Sequence, residues 1–142
     1  MIEIKKVLSN LYSNDKGYNA SMFQEKLGDT LETLNNLDYL DDNSLIYLDG
    51  VKDFATGFKC ERVIVFQDNT LILVDLEKDE DSIEMYFDLE LKKIITKNIR
   101  KYDLTPESLV IDFNNIKIEL LRKNQLEDKS LLKIMKSIPE LY

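Results

Sequence analysis

The stretch SIEMYFDLEL, Ser82–Leu91, alternates along its whole length. Ile83, Met85, Phe87, Leu89 and Leu91 are apolar, and Glu84, Tyr86, Asp88 and Glu90 fall between them. A period of two sustained this far is the pattern of a half-buried strand. It predicts one strand with its five apolar side chains in a core and its acidic face in water, as antiparallel sheets allow.

The neighbouring segments read the same way. Upstream, FKCERVIVFQDNTLILVDL contains two apolar runs around Asp68-Asn69, which predicts a pair of strands joined by a tight turn. EKDED, residues 77–81, reads as a charged loop leading into the opening strand. Before these, LIYLDGVKDF places Asp49-Gly50 between apolar flanks and predicts a two-residue hairpin. Downstream, KKIITKNIRKYD extends the strand series, and TPES sets Pro106 at the second position of a turn, where its fixed φ fits. LVIDFNNIKIELL predicts a hairpin on Asn114-Asn115, because asparagine tolerates positive φ.

Helical periodicity flanks this region. Ile4, Val7, Leu8 and Leu11 predict a short helix over residues 2–12. A second begins at Ser21 as N-cap, with Phe23, Leu27, Leu31 and Leu34 on one face and Leu37 and Leu40 extending the stripe. Asn35-Asn36 and Asp41-Asp42-Asn43 both offer an end for it. A final helix over 126–138 carries Leu131, Ile134, Met135 and Ile138 on one face, with Pro139 just beyond. The expected architecture is α+β in one domain over 1–142. N-terminal helices occupy 1–40, and an antiparallel meander of roughly five to seven strands occupies 44–122 as an open sheet or barrel. An amphipathic C-terminal helix covers it.

Composition narrows the function. There is no histidine and a single cysteine, Cys60. This removes imidazole bases, the usual zinc sites and any internal disulfide, and it points to a reduced, cytoplasmic, non-enzymatic protein without cofactor or metal. DLEKDEDSIE imitates a calcium loop, but an EF-hand requires glycine at its sixth position and a bidentate glutamate at its twelfth; Glu80 and Tyr86 stand there. Asp41 and Asp42 could do acid/base work only if one were buried. No apolar run approaches membrane-span length.

Charge is unevenly spread. Residues 1–91 carry 8 basic and 20 acidic side chains, whereas residues 92–142 carry 11 basic and 7 acidic. The acidic surface disfavours nucleic acid. The one sharp reversal is KKIITKNIRK, with Lys92, Lys93, Lys97, Arg100 and Lys101 and no acid. On a strand, Lys93, Lys97 and Lys101 would share one face, and Lys92 and Arg100 would share the other with Ile94. These five are the candidate binding residues for an acidic protein partner or anion. The structural alternative is cross-strand pairing with Glu84, Asp88 or Glu90.

RVIVFQDNTLILVDL, SIEMYFDLELKKI, LVIDFNNIKIELL and the helix SLLKIMKSI together resemble the bacterial pleckstrin-homology-like and GRAM-like domains over roughly residues 58–138. Headgroup binding in that superfamily uses basic residues in an early strand–strand loop. Here those loops, LDGV and FQDN, are acidic. The resemblance therefore implies an interaction or assembly module that binds another protein; separately, the chain is expected to be monomeric or homodimeric. A second expectation, motivated by the acidic balance of residues 1–91, is an immunity or phage anti-defence inhibitor that covers a basic site.

Overall fold

The computed structural model describes residues 25–49, 52–54, 57–59, 61–77, 82–102, 104–121 and 130–142. The expected helix over 2–12, the cap Ser21, Phe23, Cys60, most of the 77–81 loop and residues 126–129 lie outside them. Helix α1 spans Glu25–Asn36 and buries Leu31 and Leu34 completely. It ends because Asp38 takes a left-handed φ of 60°. Tyr39 N–H then bonds Leu34 C=O at 2.9 Å and Asp38 N–H bonds Asn35 C=O at 3.0 Å, the paired bonds of a Schellman cap. The chain turns away there, leaving Leu37 exposed instead of on the stripe.

Strand β1 (Leu45–Asp49) pairs with β4 (Arg62–Gln67), β4 with β5 (Thr70–Asp75), and β5 with β6 (Ile83–Tyr86), all antiparallel. The expected hairpin at Asp49-Gly50 would pair β1 with β2, but among the described residues β1 pairs with β4, and β2 (Lys52–Phe54) and β3 (Gly57–Lys59) pair with each other as a separate two-stranded ribbon between them. The reason lies in the side chains available. Against β4, Leu45 faces Phe66 and Tyr47 faces Ile64, a long apolar match that the charged segment VKDF cannot supply. Glu61 N–H to Asp49 C=O at 3.1 Å and Arg62 to Asp49 at 2.7 Å close the base of the ribbon. The Asp68-Asn69 turn does form, with Asn69 at φ 56° between the paired Gln67 and Thr70.

This four-stranded sheet is buried on both faces, which is why VIVF and LILV read as unbroken apolar runs. One face carries Leu48, Val63, Val65, Ile72 and Val74 beneath Leu31, Leu34 and Leu40. The other carries Tyr47, Ile64, Phe66, Leu71 and Leu73 and meets a second sheet. That sheet is β7 (Leu91–Lys97), β8 (Ser108–Phe113) and β9 (Lys117–Leu121), which contributes Leu109, Ile111, Phe113, Ile118 and Leu120. The expected single meander is therefore two sheets over a shared core. Among the described residues no ladder joins β6 to β7.

The break falls inside the opening stretch. Met85 packs with the α1-side cluster, while Leu89 and Leu91 pack in the inter-sheet core. An unbroken strand would put all three on one face. Asp88 at φ 53° shifts the phase, so Leu89 just after it is 2% exposed while Phe87 just before it is 60% exposed; Ile83, at the start of β6, is also exposed. The crossing is stapled by Asn114. Its Oδ1 accepts from Glu90 N–H at 3.0 Å, its N–H donates to Glu90 C=O at 3.0 Å, and its Nδ2 reaches Asp88 C=O at 3.4 Å. The Asn114-Asn115 turn forms as expected, although neither residue has positive φ.

Helix α2 spans Ser130–Leu141 and packs Leu131, Ile134 and Ile138 into the inter-sheet core, touching both β4 and β8. It continues through Pro139 instead of stopping before it. Proline forfeits only one bond in a last turn, and this turn is anchored from outside. Leu141 C=O accepts from Asn69 N–H at 3.1 Å. The Tyr142 hydroxyl donates to Thr70 C=O at 2.6 Å and accepts from Gln67 N–H at 3.2 Å. The Tyr142 ring lies 4.7 Å from that of Phe113.

Candidate protein-docking face

One face of the second sheet packs in the inter-sheet core; on the other, Ser108 and Val110 of the middle strand are buried and the flanking strands carry the exposed side chains, the basic stretch among them. In register, Lys93, Asp112 and Lys117 lie side by side, then Ile95, Val110 and Glu119, then Lys97, Ser108 and Leu121. Lys93, Lys97 and Lys117 are exposed, as are Ile95 and Leu121. Strand β7 thus pairs with β8, where Lys93 stands opposite Asp112 and Lys97 opposite Ser108. The expected pairing with Glu84, Asp88 or Glu90 does not occur, since Glu84 belongs to the other sheet and Asp88 and Glu90 to the crossing. Among the described residues, none of Lys92, Lys93, Lys97 and Lys101 makes an ion pair.

The five expected residues separate into three settings. Lys93 and Lys97 share the outer face as the alternation requires. Lys92 sits at a register shift between Leu91 and Lys93, so it belongs to neither regular face. Arg100 and Lys101 lie beyond the strand, which ends at Lys97, so Lys101 does not continue the lysine row and Arg100 does not share a face with Ile94.

Those last two belong to the connection from β7 to β8, whose described residues are tied together by hydrogen bonds. Asn98 adopts φ 52° and its Nδ2 donates to Glu107 Oε2 at 2.6 Å. Glu107 N–H donates to Lys97 C=O at 3.0 Å, Arg100 N–H to Thr105 C=O at 3.0 Å, and Leu104 N–H to Arg100 C=O at 2.9 Å. Thr105 and Pro106 are buried beneath. On this support Ile99, Tyr102 and Leu104 are exposed, at 49%, 76% and 62%. The Arg100 guanidinium stands 5.4 Å from the Tyr102 ring centroid, within cation–π range. Leu104 has φ 59°, a conformation costing a bulky residue about 1–2 kcal/mol.

The composition reading missed Lys117, which reaches the face through register alone, and the apolar members. The apolar signal was present in NIRKYDL, where Ile99, Tyr102 and Leu104 interleave with Arg100 and Lys101.

Elsewhere the chemistry is sparse. A cleft of about 100 Å³ is lined by Arg62, Leu73, Asp75, Ser82 and Glu84. That is well below the roughly 300 Å³ of small-molecule sites, and Arg62 is already clasped by Asp49 through Nε and Nη2 at 3.0 and 2.7 Å. Asp41 and Asp42 are exposed. Asp41 shapes its own turn, its Oδ1 accepting from Asn43 N–H at 2.8 Å and Ser44 Oγ at 3.2 Å. Among the described residues no group of three or more metal-binding side chains converges, and no helix is long and apolar enough to cross a membrane.

Among the described residues the fold is α+β, with two helices, a four-stranded and a three-stranded antiparallel sheet and the two-stranded ribbon, and the outer face of the three-stranded sheet carries lysines and apolar side chains beside Asp112 and Glu119. No family model, curated protein or solved structure matches the chain.

Proposed function

We propose that the chain is a non-enzymatic protein-interaction module of pleckstrin-homology-like build, cytoplasmic and monomeric or homodimeric. It docks an acidic, partly apolar segment of another protein on β7 and the β7–β8 connection. The order of a four-stranded sheet, a three-stranded sheet and an amphipathic helix supports the resemblance. The absence of histidine and the lone cysteine support the non-enzymatic, cytoplasmic reading. The observation that carries the function is the supported connection, which exposes Ile99, Tyr102 and Leu104 beside Arg100 and Lys101. Aromatic and arginine side chains on a pre-shaped support are what interface centres use, and unpaired lysines around them select an acidic partner.

The test uses a short synthetic peptide alternating glutamate with leucine and tyrosine. Binding is followed at roughly 0.01 M and 1 M ionic strength, where the screening length falls from about 30 to 3 Å. Tyr102→Ala with Leu104→Ala is expected to lower affinity at both salts, and Lys93→Gln with Lys97→Gln and Lys101→Gln only at low salt. Binding unchanged in both variants would refute the assignment.

A further inference from the structure

The two sheets protect their edges differently. An edge strand offers unpaired N–H and C=O groups to any passing strand, and lysines and bulges discourage that pairing. Strand β7 has both devices: Lys92, Lys93 and Lys97, and the register shift at Leu91/Lys93. Strand β6 has neither. It bonds β5 on one side, and among the described residues no strand bonds its other side. The ladder phase follows from the tight turn: Gln67 and Thr70 flank it, so alternate residues of β5 point towards β4, and Leu71 and Leu73 point towards β6. Their partners Tyr86 and Glu84 therefore face β5, leaving the N–H and C=O of Ile83 and Met85 directed outward.

The side chains along this edge match one kind of visitor. Ile83 and Phe87 are exposed and Met85 is half-buried, which makes an apolar row. Glu84, Asp88 and Glu90 are exposed, and none forms an ion pair among the described residues. The stretch SIEMYFDLEL contains no cation. We infer that β6 is a strand-addition site, which takes an extended segment of a partner protein that alternates basic and apolar residues. A second copy of this chain is disfavoured by the same charges. If Ile83 bonded Met85 of a second copy across a two-fold axis, Glu84 would face Glu84, and like charges directly opposite destabilise a pair. The inference is independent of the basic face, and it gives the expectation of an acidic inhibitor a location.

The probe is a short synthetic peptide alternating lysine and valine, added to the full chain, with amide hydrogen exchange read residue by residue. A second peptide has the same charges but N-methyl groups on alternate backbone nitrogens, so that it cannot complete a ladder. A third carries glutamate in place of lysine. Strand addition is expected to slow exchange at Ile83 and Met85 by at least about tenfold with the first peptide alone. Glu84→Gln with Asp88→Asn should weaken its binding several-fold at low salt. The inference is overturned if the N-methylated peptide binds equally well, if protection appears elsewhere, or if Ile83 and Met85 become protected on raising the protein concentration alone.

Discussion

Replacing Phe87 and Leu89 separately by alanine weighs the two sides of the crossing against each other. An unbroken strand would bury both equally. Here Leu89 is 2% exposed in the inter-sheet core and Phe87 is 60% exposed. Removing a buried leucine side chain costs about 3–5 kcal/mol, transfer and residual cavity together. For Phe87, about two fifths of a side chain of roughly 200 Å² is covered, which at about 25 cal/mol per Å² bounds the loss near 2 kcal/mol. Alanine retains part of that contact, and the unfolded chain already shields some of it, so about 1 kcal/mol is the expected value. Urea unfolding should therefore separate the variants by at least about 2 kcal/mol, with unchanged slope m. Phe87→Ala costing as much as Leu89→Ala would refute the phase shift at Asp88.

Three further outcomes follow from the geometry. Burial raises the Tyr142 phenol well above its ordinary 10.0, and the hydrogen bond to Glu84 raises Tyr86 in the same direction. The unfolded tyrosines lose their protons first, so stability is intact below about pH 10 and falls as pH rises further, by at most about 1.4 kcal/mol per pH unit for Tyr142 before solvent screening. Tyr142→Phe should flatten that alkaline limb in melts taken across pH, at a neutral-pH cost of about 1–2 kcal/mol for its lost bonds. Asn114→Ala should cost about 1 kcal/mol in urea unfolding, since it frees Glu90 N–H and Asp88 C=O. At Asp88, with φ 53°, glycine should stay within about 0.5 kcal/mol of the parent and valine should cost about 1–2 kcal/mol in thermal melts.

The strands of the first sheet and the turn at Asp68-Asn69 were legible because their apolar runs are long and their turn residues specific. The face of Leu31 and Leu34 was legible from helical spacing. What alternation could not reveal was a phase shift, because one residue of left-handed backbone at Asp88 leaves no trace in a pattern of apolar and polar letters. The hairpin at Asp49-Gly50 failed for a related reason: turn chemistry is local, whereas the choice between VKDF and RVIVF as partner for β1 is made by side chains more than ten residues apart. The basic residues of the docking face were visible as a charge run. Their grouping with Lys117 and Leu121 needed the register of β9, and the ending of β7 at Lys97 needed the hydrogen bonds of Asn98 and Glu107.

The clasp between the Asp68-Asn69 turn and the far end of α2 also fixes an order of events. Gln67 and Tyr142 are 75 positions apart, and Thr70 and Tyr142 are 72 apart. The hairpin of β4 and β5 can form from neighbouring residues within microseconds. Its inner face, Phe66 and Leu71 included, is covered only when β8, β9 and α2 arrive. Contacts so distant along the chain slow the approach to the native state. During synthesis the newly made hairpin therefore presents a greasy surface until the chain has been extended through Tyr142. That interval is when self-association competes with folding, and a chaperone acting on this protein would find its substrate there.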